Sequence, residues 1–100
     1  MIIGTTPQHT FEVDIDTSLI KEVKITYSQH NKPLVEKKTS DCEILEGKIV
    51  TKLTQEETFR FDYTRYVNVQ IRILTKDGDC LATAVTSVPV DKCLDNEVLV

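Results

Sequence analysis

In the stretch VNVQIRIL, residues 67–74, Val67, Val69, Ile71 and Ile73 fall on one side and Asn68, Gln70 and Arg72 on the other. That is the two-residue period of a strand with one buried face. A second run rich in β-branched and small residues, CLATAVTSVPV, follows across Lys76-Asp77-Gly78-Asp79. Asp-Gly between two such runs signals a hairpin, because a type I′ turn needs positive φ at both central residues. A two-residue loop predicts Lys76 opposite Asp79, Thr75 opposite Cys80 and Ile73 opposite Ala82. Further along it sets Ile71 opposite Ala84, Val69 opposite Thr86 and Val67 opposite Val88, with one buried face. A calcium loop would need about six to eight oxygen ligands. The EF-hand spacing is missing around Asp77 and Asp79, so the acidic triplet reads as a turn.

The same alternation recurs along the chain. In HTFEVDI, Phe11, Val13 and Ile15 share a side; turn chemistry at Asp16-Thr17-Ser18 then precedes a strand over 21–29 carrying Val23, Ile25 and Tyr27. HNKP reads as a loop, and LVEKKT as a short edge strand whose lysines discourage pairing with other chains. DCEILEGKIVTKL reads as two short strands around Glu46-Gly47. Thr54 and Glu57 fit a capping box, which satisfies orphan amides at the start of a single helical turn over 54–58. About seven short strands with frequent turn signals imply an all-β, antiparallel Ig-like β-sandwich, with a small barrel as the alternative. The chain has no Trp, so the Cys…Trp…Cys signature of disulfide-bonded Ig domains is missing and the sandwich is expected without a disulfide. Phe11, Val13, Ile25, Ile44, Ile49, Leu53, Phe59, Val69, Ile71 and Ile73 are the expected core. One hundred residues make a single domain, 1–100.

The net charge is −4, and acidic and basic residues are interspersed. Phosphate neutralisation supplies most non-specific nucleic-acid affinity, so a nucleic-acid partner is not expected. Apolar runs are too short for a membrane helix, and MIIGTTPQHT lacks the basic start and apolar core of a signal peptide. Synthesis in the cytoplasm is the expectation. Cys42, Cys80 and Cys93 are odd in number and widely spaced, which suits free thiols better than zinc or a disulfide framework.

No catalytic pattern emerges. His9 and His30 have no partner at ligand spacing and read as solvated imidazoles. The serines lack a nucleophile elbow, Asp14/Asp16 and Glu56/Glu57 read as solvated carboxylates, and the three glycines are scattered. Neither a cofactor, a metal nor an enzymatic activity is expected. Tyr63 and Tyr66 flank the entry to the strand beginning at Val67. The preferred reading is a tyrosine corner, whose hydroxyl closes a backbone bond across the end of the sandwich. The alternative is an aromatic contact for a partner.

GTTPQHTF, LTQEETFRF, VQIRILTKDGD followed by ATAVTSVPV, and KCLDNEVL together resemble small proteins from the structural modules of phages and prophages of Gram-positive bacteria. In layout they are similar to the Ig-like domain of phage baseplate upper proteins. The resemblance spans nearly the whole chain, and its motifs are structural. It implies a virion component of tail, baseplate or head–tail neck, with no catalytic residue to carry over. Its partners would be other virion proteins or further copies of itself, making a homo-oligomer. The chain departs from that family's layout in one respect: no long coiled coil or receptor-binding extension is expected after the domain. The alternative is a small adaptor, such as a carbohydrate-binding or inhibitor sandwich. Val98, Leu99 and Val100, apolar at the end of the sequence, are the expected docking element, with Tyr63 and Tyr66 as further interaction residues.

Overall fold

The computed structural model describes residues 1–100. Strands β1 (Gln8–Glu12), β5 (Lys48–Lys52) and β4 (Cys42–Leu45) form one antiparallel sheet in the order β1-β5-β4. The second sheet has the order β3-β2-β6-β7, from β3 (Lys32–Lys38), β2 (Ile20–Gln29), β6 (Val67–Thr75) and β7 (Cys80–Ala82). A last short strand, β8 (Thr86–Val88), also pairs with β6. With β7 and β8 taken as two halves of one interrupted strand, this is the B-E-D sheet of an immunoglobulin-type sandwich packed on C′-C-F-G. The N-terminal segment runs parallel to the last one through an Ile2–Asp91 bridge. There is no disulfide.

The core lies between the sheets and follows the alternation. β2 contributes Val23, Ile25 and Tyr27, and β6 contributes Val67, Val69, Ile71 and Ile73, all buried. Register pairs Val23 with Ile73, Ile25 with Ile71 and Tyr27 with Val69, so the apolar sets of the two longest strands meet across the ladder. Ile49 and Leu53 close the core from the opposite sheet, while Phe11, Val13, Ile44 and Phe59 are half-buried against it. Thr54 caps α1 (Gln55–Thr58): its hydroxyl accepts from the Glu57 amide at 3.1 Å, and the Glu57 carboxylate accepts from the Thr54 amide at 2.9 Å. The helix is pinned to the N-terminal segment by Thr58, whose hydroxyl accepts from Gly4 N at 2.9 Å and donates to Thr5 O at 3.0 Å. Gly4 has φ +77°, and a Cβ there would lie 2.5 Å from the Phe59 ring.

The hairpin after β6 departs from the two-residue expectation. Leu74 faces Cys80 and Ile73 faces Leu81, one residue out of the expected register. The loop has three residues: Gly78 N donates to Thr75 O at 3.0 Å, Thr75 N donates to Asp79 O at 2.8 Å, and Gly78 alone takes positive φ. This is a turn followed by a glycine bulge. An extra residue near Thr83 restores the expected pairing, so that Val69 faces Thr86 and Val67 faces Val88. At that bulge the Thr83 hydroxyl accepts from Ile71 N at 3.1 Å in place of the Thr83 carbonyl, which instead accepts from Gln70 Nε2 at 2.9 Å. The two-residue loop with both central φ positive is His30-Asn31, between Gln29 and Lys32.

The returning arm also lacks the buried face expected for it. Every residue from Cys80 to Ser87 is exposed, because the opposing sheet has three strands and does not reach beneath β7. On β3, an edge strand as expected, Lys37 points inward and is buried rather than guarding the edge.

Candidate functional site

The corner between α1 and β6 is built by local polar chemistry. Asp62 Oδ1 accepts from the Thr64 amide at 2.9 Å and the Thr64 hydroxyl at 2.6 Å, and these bonds hold the Asp62 carboxyl below its ordinary range. Buried Gln29, at the end of β2, then ties the corner down. Its Nε2 donates to Asp62 O at 2.8 Å and Arg65 O at 3.2 Å, and its Oε1 accepts from Asp62 N at 2.7 Å. Gln29 thus performs the closing role expected of a tyrosine. Neither Tyr63 nor Tyr66 makes a hydroxyl hydrogen bond to the chain, and they are 46% and 64% exposed. With the backbone already fixed by Asp62 and Gln29, both rings are left facing outward.

Around this corner the structure gathers most of the expected interaction residues. Tyr63 and Tyr66 line a groove of about 230 Å³ with Pro89 and Val90, and the Lys92 ammonium lies 5.9 Å from the Tyr63 ring centroid. Tyr63 also lines an adjoining groove of about 670 Å³ with Phe59, Phe61 and Val98. The tail is therefore docked rather than free. Leu99 N donates to Gln55 Oε1 at 2.8 Å and Gln55 Nε2 donates to Leu99 O at 2.7 Å, while Val98 is half-buried. Leu99 and Val100 project beyond this clamp and are exposed, as is Leu94.

A second set of polar groups lies on the inward faces and was missed by reading the residues one at a time. Lys37 Nζ reaches Glu57 Oε1 at 2.6 Å, with both side chains largely buried. Burial opposes the Glu57 charge, but hydrogen bonds from Lys37 and Thr54 outweigh it and hold the carboxyl below its ordinary range. His9 is not a solvated imidazole: its Nδ1 is 2.8 Å from the Tyr27 hydroxyl, and burial, with the positive N-terminus adding to it, pushes its pKa down. Burial pushes the Tyr27 hydroxyl well up and also raises the Cys42 thiol, which favours the protonated thiol over a nucleophilic thiolate. No group of three or more His, Cys, Asp or Glu side chains is placed to hold a metal ion. The signal was present in the phase of the strands: Lys37 shares the parity of Val35, and His9 that of Phe11.

On the outer face, Lys38, Lys24 and Arg72 stand in one row across β3, β2 and β6, since Lys24 is directly opposite both of the others. They border a trough of about 720 Å³. Glu36 lies 3.5 Å from Lys24 and Glu22 lines the same trough, so two carboxylates offset most of the positive charge. His30, by contrast, is exposed and has Asp62 Oδ2 3.9 Å from its Nε2. The cysteines are free: Cys80 is exposed, and Cys42 and Cys93 are half-buried.

Fold and site together define an Ig-like, disulfide-free β-sandwich whose exposed special features are aromatic and apolar surfaces. No helix is long and apolar enough to cross a membrane. No protein-family model, no curated protein and no solved structure matches the chain.

Proposed function

We propose that this chain is a non-enzymatic structural protein of a phage or prophage particle, in the tail, baseplate or head–tail neck. It works through contacts with neighbouring virion proteins or further copies of itself. The observation that carries the reading is the corner surface: Tyr63 and Tyr66 stand exposed over grooves that continue into Phe59, Phe61 and Val98. Exposed aromatic residues beside grooves of mixed lining, with Arg65, Glu56 and Asp62 among the apolar side chains, favour burial against a partner protein. The alternative of a carbohydrate-binding sandwich asks for aromatic residues on a sheet face, whereas Tyr63 and Tyr66 stand on the corner that leads into β6.

The test is made in the bacterium that carries the gene. Particles are induced and purified, and their proteins are identified by mass spectrometry. The chain should be found in the particles, and a Tyr63→Ser/Tyr66→Ser variant should be folded by circular dichroism yet reduced at least about tenfold in them, the loss expected when interface aromatic anchors are removed. Particles that assemble fully without the chain would overturn the reading.

A further inference from the structure

We infer that the β7 edge pairs with the β7 edge of a second copy of this chain, antiparallel about a two-fold axis, so that the two larger sheets become one. From Cys80 to Val90 the sequence has no charged side chain, and Cys80–Ser87 is exposed throughout. Uncharged, exposed edges are what soluble β proteins ordinarily avoid. The other sheet edges of this molecule follow that rule. β3 carries Lys32, Pro33, Glu36 and Lys38, β4 carries Glu43, and β1 ends in Glu12. Only the β7–β8 edge has no charged side chain in its strands, and its remaining protection is its shortness and the bulge near Thr83.

The backbone is ready to accept a strand. Thr75 N bonds to Asp79 O, and Thr83 N bonds to Ile71 O. The alternation of an antiparallel ladder therefore turns the N–H and C=O groups of Cys80 and Ala82 away from β6. Those outward groups need a strand of matching pattern.

The edge itself supplies that pattern. A charged partner strand would gain nothing from this neutral stretch, whereas a second copy brings the same spacing and the same neutral side chains, and two-fold pairing makes the contact close on itself. With the axis at Leu81, Cys80 of each copy faces Ala82 of the other and exchanges backbone hydrogen bonds with it. Leu81, 42% exposed on the face it shares with Ile73, then packs against Leu81 of the second copy. The same register sets Asp79 and Asp77 of one copy beside Thr83 and Val85 of the other, which keeps the acidic loops apart. This edge lies away from the corner surface, so the two proposals fail separately.

Sedimentation velocity over a concentration series tests the pairing. The wild-type chain should dimerise reversibly, and amide exchange at Cys80 and Ala82 should slow as the dimer forms. Ala82→Pro removes a donor that faces away from β6, a position that proline tolerates on an edge. It should weaken dimerisation at least about tenfold, the effect of losing one net backbone hydrogen bond per copy, with an unchanged melting temperature at concentrations where both chains are monomeric. Leu81→Lys, which sets like charges opposite each other across the axis, should do the same and decides the matter if the proline variant does not fold. A wild-type chain that stays monomeric to about 1 mM, the limit of useful affinity, overturns the inference. So does a dimer that a folded variant of either kind leaves intact.

Discussion

At the scale of the residue, the interior holds one costly feature. Lys37 and Glu57 are buried together at 2.6 Å, and Glu57 is also the third helical residue of the capping box, so one carboxylate serves both the edge strand and the helical turn. Removing one member of a buried pair leaves the other charge unpartnered, which costs about 3–5 kcal/mol, whereas removing both charges is often close to neutral. Lys37→Met should therefore destabilise the fold by about 3 kcal/mol in urea denaturation. Adding Glu57→Gln should recover most of that loss, because glutamine keeps the capping-box hydrogen bond without a buried charge. Independent, additive losses in the double variant would show that the ion pair is not the interaction being broken.

At the scale of the element, most of the fold was legible where a local rule and the buried face agree. The alternation at Val67–Ile73, the strand through Val23, Ile25 and Tyr27, the Glu46-Gly47 hairpin and the capped turn at Thr54 all lie where the residues place them. The register of the hairpin after β6 was not legible, because turn chemistry alone does not fix loop length and register is settled by long-range packing. His30-Asn31 takes the two-residue turn, while Asp77-Gly78 takes a three-residue one that Thr83 later compensates. The sequence presents the tail as free to dock elsewhere, and its attachment to the chain's own Gln55 was not legible because the two bonds between Gln55 and Leu99 join residues 44 apart in the chain. Deleting residues 95–100 removes that clamp and the half-buried Val98. It should lower stability by about 1–2 kcal/mol, the loss of one partly buried aliphatic side chain, and leave the far-UV circular dichroism of the strands in place. A truncated chain with no β spectrum would show that the tail belongs to the folding core.

At the scale of the whole molecule, groups in separate parts of the sandwich set how its stability depends on pH. His9 is tied by Nδ1 to the Tyr27 hydroxyl and held neutral by burial, so its folded pKa lies below the ordinary value of 6.5. Where the folded pKa is depressed, the unfolded chain takes up the proton first as pH falls. The His9 contribution is therefore complete above pH 6.5 and is lost as pH falls from there through its folded pKa. Glu57 is depressed below 4.5, so its contribution is complete above that value and is lost only further into acid. Asp16 and Asp62, held low by hydrogen bonds from Ser18 and Thr64, act on the same acid limb. The urea midpoint should thus be level above neutrality, begin to fall as pH drops below about 6.5 and fall further below about 4.5, the ordinary His and Glu values. His9→Gln keeps a polar partner for Tyr27 but has nothing to titrate, so it should abolish the first fall and keep the second. A wild-type midpoint level from pH 7 to 5 would mean that His9 stays as accessible to protons in the folded sandwich as in the unfolded chain.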